Sequence, residues 1–238
     1  MIFDGHDLTS MFIVGEPVFN TFIPSHTFQN VPGRDGTVFM GGKLDGGTIT
    51  VPLTIVDEDM EQRRATLSNL YMILDVDEPK LLVLPEVPDL SYKAIPQNAV
   101  SESRYIDGDT VIVSFQLVEA AAYGDTVTKT LPSNGTIVFT VGGTYPTKPR
   151  ITSNATRSAN THLWGIKLDE GAFLHVDTGS SSARAIVLDC EERTLTIEGD
   201  VALPTLDSDW FELAPGSHTI KMDNGSGSAT ITYKERWL

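Results

Sequence analysis

The chain is 238 residues long, and its 32 acidic against 17 basic side chains give a formal net charge of −15, which excludes a protein that grips nucleic acid by neutralising its phosphates. Hydrophobic residues at 40% and charged residues at 21% provide for a sizeable core and exclude a disordered chain. The single cysteine, Cys190, excludes an intramolecular disulfide and any cysteine-spaced zinc or redox motif.

The opening Met1-Ile2-Phe3-Asp4-Gly5-His6-Asp7 has neither a basic segment nor an apolar one, and no run of eighteen apolar residues follows, so neither signal peptide nor membrane insertion is expected. Phe19 to Met40 reads as an extended hairpin that could not bury both faces alone, its edges satisfied either by strands of a neighbouring chain or, as a long loop, by folding onto its own domain. Ile49, Val51, Leu53 and Ile55 alternate with Thr48, Thr50, Pro52 and Thr54, the period of a half-buried strand. Residues 59–74 break that period: Met60, Leu67, Leu70, Tyr71 and Leu74 recur at helical spacing. Asp57 or Asp59 is placed to cap the helix, and Pro79 prevents its continuation. Leu81–Leu84 and the alternating Val111, Val113, Phe115 and Leu117 complete an α+β first half.

Alternation lapses at Ala120-Ala121-Ala122-Tyr123-Gly124, which sets a boundary between domains at 1–124 and 125–238. Residues 1–123 carry 7 basic and 18 acidic side chains, a sum of −11, against 10 and 14, a sum of −4, in 124–238; the acidity belongs mainly to the first half. Beyond Ser133, eight or nine short strand patterns and no helix predict an all-β sandwich. Asn134-Gly135, Asn224-Gly225, Gly41-Gly42, Gly46-Gly47 and Asp107-Gly108 have the composition of hairpin turns.

Catalytic chemistry finds little support. Gly225-Ser226-Gly227-Ser228 lacks the strand–turn–helix setting of a nucleophile elbow and suits a hairpin tip. His175 and Asp177 share a strand face but make only two ligands, so no metal site is expected. Asp57-Glu58-Asp59 and Asp107-Gly108-Asp109 do not continue as calcium loops; a helix start and a turn explain them. No glycine-rich loop opens a helix, so no nucleotide cofactor is expected. Among the aromatic residues of the second half, Trp164 and Trp210 would form a glycan-stacking platform if exposed, and sandwich core if buried.

The order of these signals resembles the distal tail proteins (Dit) of long-tailed, non-contractile bacteriophages. In the first half the resemblance is carried by Ile2-Phe3-Asp4-Gly5-His6-Asp7-Leu8, the turn Val31-Pro32-Gly33-Arg34-Asp35-Gly36, the strand 49–55, the helix from Arg63-Arg64 to Leu74, Leu81–Leu84, Tyr92-Lys93-Ala94 and the Phe115 strand running to Tyr123-Gly124. In the second it is carried by Ile186-Val187-Leu188-Asp189, Phe211-Glu212-Leu213-Ala214-Pro215-Gly216 and Tyr233-Lys234-Glu235-Arg236-Trp237. Departures occur at Glu119-Ala120-Ala121-Ala122 and Ser217-His218, and 151–183 matches by architecture rather than motif.

The resemblance implies a mainly β chain. Its first domain would be a β-sandwich with one helix and an extended hairpin, followed by a galectin-like or jelly-roll sandwich. It further implies a non-enzymatic homo-hexameric ring at the virion tail tip, made in the host bacterial cytoplasm. That ring would join the tail tube protein to tail fibre or tail-associated lysin and receptor-binding components, and DNA would pass through its channel without specific binding. Gly33, Arg34, Asp35 and Gly36 are the expected subunit-interface turn. The competing reading is a carbohydrate-binding adhesion module that stacks host-surface sugars on Trp164 and Trp210.

Overall fold

The computed structural model describes residues 1–20, 24–56, 59–105, 108–169 and 171–238, with side chains throughout these except at 98–109. Backbone contacts divide it into two compact units, Met1–Ala122 together with Leu238, and Tyr123–Trp237.

The first unit contains β1 (Ile2–Phe3), β2 (His6–Asp7), a short 3-10 turn (Leu8–Ser10), β3 (Phe12–Val14), β4 (Val18–Asn20), β5 (Pro24–Asn30), β6 (Thr37–Leu44), β7 (Thr48–Ile55), α1 (Met60–Leu74), β8 (Lys80–Leu84), β9 (Val87–Tyr105) and β10 (Gly108–Leu117). The strands pair in the order β8, β9, β10, β7, β3, with β4 also on β7 and β1 on β8; β5 and β6 form a separate two-stranded sheet. The alternation of β7 is realised residue by residue, since Ile49, Val51, Leu53 and Ile55 are all fully buried. Antiparallel pairing sets Val51 opposite Val113 and Ile49 opposite Phe115, so the two strands offer one continuous apolar face. Phe3, Leu8, Leu82, Leu84 and Leu70 close the core over that face. On the opposite face Thr50 meets Ser114 at 3.1 Å and Thr54 meets Thr110 at 3.1 Å.

Helix α1 begins where Asp59 accepts the Glu61 backbone N–H at 3.2 Å, which satisfies one amide that the helix itself leaves open. The alternative cap, Asp57, and Glu58 lie outside the described residues. The inward face of α1 is narrower than its sequence implies. Leu70 is buried, and Leu67, Ile73 and Leu74 pack against the core, whereas Met60 and Tyr71 are exposed. The stripe is centred on Leu70, so Met60 and Tyr71 fall at its margin.

The second unit is a sandwich. One sheet runs β18 (Asp200–Ala202), β17 (Thr194–Ile197), β16 (Arg184–Asp189), β13 (Arg150–Ala155), β20 (Ala229–Trp237), β11 (Ala122–Leu131); the other runs β12 (Thr136–Val141), β19 (Gly216–Asn224), β14 (Leu163–Leu168), β15 (Phe173–Asp177). Ile151, Ile231, Leu188 and Leu195 from the first sheet and Phe139, Ile220, Ile166 and Leu174 from the second belong to one buried cluster, the face-to-face solution for sheets with one apolar face.

Four expected hairpin turns take other roles, among them Gly46-Gly47, which joins β6 to β7, strands of different sheets. Asn134-Gly135 links β11 to β12 and Asn224-Gly225 links β19 to β20, and in both cases the two strands lie in different sheets. These are corners that carry the chain across the sandwich, and the left-handed backbone at Asn134 (φ 54°) and Gly225 (φ 73°) serves them as it would a hairpin. Gly41-Gly42 lies inside β6, where the β5–β6 register shifts between Thr27 and Phe28, so the pair marks a bulge. Asp107 lies outside the described residues; the strands beside it pair antiparallel with Tyr105 opposite Gly108.

Candidate functional site

The hairpin β5–β6 stands apart from the core of its unit. Every residue of β5 is exposed, and in β6 none is buried. Its register sets Phe28 opposite Phe39, with ring centroids 5.7 Å apart and the His26 ring 5.5 Å from Phe39. Phe28, Phe39 and Met40 nevertheless remain 59%, 57% and 58% exposed. Aromatic pairing across the hairpin orders the two strands but leaves their outward surface in water. A two-stranded ribbon with apolar side chains and open edges is marginal alone and becomes stable when another surface covers it.

The expected interface turn lies at the tip of this hairpin. Gly33, Arg34, Asp35 and Gly36 are all exposed in the segment between β5 and β6, and the Arg34 N–H donates to the Val31 carbonyl at 3.2 Å. Gly33 (φ 79°) and Gly36 (φ 84°) hold left-handed conformations that a side chain would strain. The individual residues Phe28, Phe39 and Met40 were not singled out by motif. Their signal is the consecutive run Val38-Phe39-Met40, which has no polar alternate and so puts apolar groups on both faces.

A second apolar surface of the same unit lies along α1. There the exposed Met72 borders a depression of about 420 Å³ whose other walls are His6, Met11, Asn69 and Ile73.

The tryptophans separate. Trp164, on β14, is 0% exposed inside the sandwich core, so neither face of its ring is open to a sugar; its place on the inner face of the sheet corrects the stacking role expected from its ring type. Trp210 is half-buried and packs against the same core. His175 does not turn to Asp177. Its Nε2 reaches across β14 to Asp223 Oδ2 on β19, 2.6 Å away, while Asp177 accepts the Gly179 N–H at 2.8 Å. His218 Nδ1 meets Asp169 Oδ2 at 2.9 Å and its Nε2 meets the Ala214 carbonyl at 2.6 Å. The Thr219 backbone N–H, and after it the His218 side chain, hold the Asp169 carboxyl below its ordinary pKa. Among the described residues no three histidine, cysteine or carboxylate side chains converge as metal ligands. Burial pushes the Cys190 thiol up to about 11, the state of an inert core cysteine. No helix among the described residues is long and apolar enough to cross a membrane.

Residues 4–116 match the family model of the phage tail protein RIFT-related domain, and residues 142–237 match that of the siphovirus-type tail component, C-terminal domain. The distal tail protein of Bacillus phage SPP1 is 26% identical over 251 aligned residues that span all of this chain and 95% of that protein. The crystal structure of SPP1 Dit, described as a paradigm of the hub adsorption apparatus in phages that infect Gram-positive bacteria, superposes with a TM-score of 0.82 at 20% identity, covering 100% of this chain and 98% of that one. A chain of the phage P2 baseplate in its activated conformation shares the fold at a TM-score of 0.54 and 8% identity, covering 97% of this chain and 93% of that one.

Proposed function

We propose that this chain, whose two parts match models of siphovirus tail protein domains at residues 4–116 and 142–237, is the structural hub of a phage tail tip, acting by assembly and not by catalysis. The observation that carries this reading is the exposed aromatic hairpin, a surface that the isolated chain leaves uncovered. Closed rings form head to tail from two different patches on each copy. The hairpin is one such patch, and the depression beside Met72 is the other. Six copies close the ring, with the Gly33-Arg34-Asp35-Gly36 tip at the contact between neighbours.

In this reading the first unit surrounds the channel through which DNA leaves. Its sum of −11 over residues 1–123 supports a lining that repels phosphates and lets the duplex pass without adhering. The tail tube on one side of the ring and the fibre, lysin and receptor-binding components on the other are the partners that such a hub joins in the virion, after synthesis in the host cytoplasm.

The test is the solution mass of the purified protein across a wide concentration range. Six times the 25.9 kDa chain mass is expected, and the double variant Phe28→Ser, Phe39→Ser is expected to remain a folded monomer. A wild-type protein that stays at the mass of one chain at every concentration, or a double variant that assembles as before, overturns the assembly reading.

A further inference from the structure

The outer face of the six-stranded sheet in the second unit carries a cavity of about 200 Å³ that belongs neither to the core nor to the assembly surfaces. Four cations line it: Lys148, Arg150, Lys234 and Arg236. They are brought together by topology. Arg150 on β13 lies opposite Thr232 on β20, and Lys234 and Arg236 follow at alternate positions on that same face. In a second half with 10 basic and 14 acidic side chains, these four cations outnumber the carboxylates that line the same cavity.

The cavity is structurally fixed on one side. Arg236 is buried, and its guanidinium lies 5.1 Å from the ring centroids of both Tyr123 and Tyr145, a stacked arrangement that holds the planar group in place. Its backbone carbonyl accepts the Thr144 N–H at 2.8 Å and the Tyr145 N–H at 3.1 Å. Lys234 lies over the same Tyr123 ring, 5.5 Å from its centroid. Arg150 and Lys234 have no carboxylate within ion-pair distance among the described residues, and Lys148 reaches Glu212 only at 3.9 Å.

Two carboxylates also line the cavity, Asp189 and Glu191. Asp189 Oδ1 accepts the N–H groups of Glu191 and Glu192 at 3.0 and 3.1 Å, which fixes its direction. A bare anion would be repelled by these groups, and a neutral sugar would have no use for the cations. One chemistry uses both: a phosphate, which pairs with Arg and Lys, carried on a small polyol whose hydroxyls donate to carboxylates.

We propose that this cavity binds a phosphorylated polyol or sugar, with the phosphate against Arg150 and Lys234 and the hydroxyls against Asp189 and Glu191. This goes beyond the hub role and does not depend on the ring. The full-length protein is titrated with glycerol 1-phosphate, inorganic phosphate and glycerol, each followed by ligand-observed NMR at two salt concentrations. Glycerol 1-phosphate is expected to bind about tenfold tighter than inorganic phosphate, and to weaken as salt rises.

Arg150→Gln and Lys234→Gln, both at exposed positions, are expected to retain the wild-type melting temperature and each to weaken glycerol 1-phosphate by about tenfold. Glu191→Gln is expected to shrink the preference for glycerol 1-phosphate over inorganic phosphate. Glycerophosphoglycerol separates two sources of the same chemistry: equal binding of this diester points to a chain-linked ligand, and loss of binding to a free monoester. Absence of saturable binding of glycerol 1-phosphate below about 10 mM, equal affinity for inorganic phosphate, or binding unchanged in all three variants overturns the proposal.

Discussion

Two eight-residue strands follow one another in the first unit and behave in opposite ways. β7 (Thr48–Ile55) alternates buried and half-buried residues without exception, while β6 (Thr37–Leu44) buries none. Both contain apolar residues in a β context. The difference is that β7 has a single apolar face and neighbours on both sides, whereas β6 has Val38, Phe39 and Met40 in succession and pairs with β5 alone. Hydrophobic content therefore does not say where a residue's partner lies. The periodicity does: strict alternation is satisfied within the chain, and its loss in an extended segment marks surface meant for another molecule.

Substitutions sharpen that contrast. The largest loss of stability is expected inside a core: Trp164→Ala should cost about 3–5 kcal/mol, measured as a shift in the denaturant midpoint at unchanged slope. A loss below about 1 kcal/mol would mean that the sandwich relaxes around the vacated site.

Cys190 provides the next effect, through pH. Its thiol is raised from an ordinary 9.0 to about 11 by burial. The folded state therefore holds the proton that the unfolded state releases, and this contribution is present below pH 9 and lost as pH rises towards 11. The difference in stability between wild type and Cys190→Ala should change by on the order of 2–3 kcal/mol across that window, which cancels the titration of tyrosines and lysines common to both. A pH-independent difference would show that the thiolate is solvated in the fold.

Removing the helix cap with Asp59→Ala should cost about 1 kcal/mol in the same denaturation assay. Smallest for the isolated chain is Phe28→Ser with Phe39→Ser, expected to alter monomer stability by no more than about 0.5 kcal/mol while abolishing assembly in light scattering. If this pair instead destabilised the monomer by as much as Trp164→Ala, the distinction between core strand and docking strand would fail.

How much of this was legible in sequence follows from range. The β7 alternation, the Asp59 start of α1 and the two Asn-Gly positions of left-handed backbone are local properties, and local physics reveals them. What the Asn-Gly turns connect depends on which sheet the next strand joins, a choice made by packing partners far along the chain, so the same local signal serves a corner or a hairpin. The exposure of Met60 and Tyr71 on α1 was hidden for a related reason: helical spacing gives a stripe but not the angle at which a sheet meets it. Trp164 and Trp210 have the same ring, and only the strand face, inner for Trp164, decides its burial. The cluster of Lys148, Arg150, Lys234 and Arg236 has no local trace, because its members come from segments more than eighty residues apart in sequence.

Neither core uses the β5–β6 hairpin, and this has an evolutionary side. A residue such as Leu53 is constrained by every neighbour it touches, so most changes there threaten folding itself. A residue at the Gly33–Gly36 tip or on the exposed face of β5 answers only to whatever covers it. Changes in length and sequence can accumulate in this arm without unfolding the chain that carries it, so the specificity of assembly can drift independently of the stability of the scaffold.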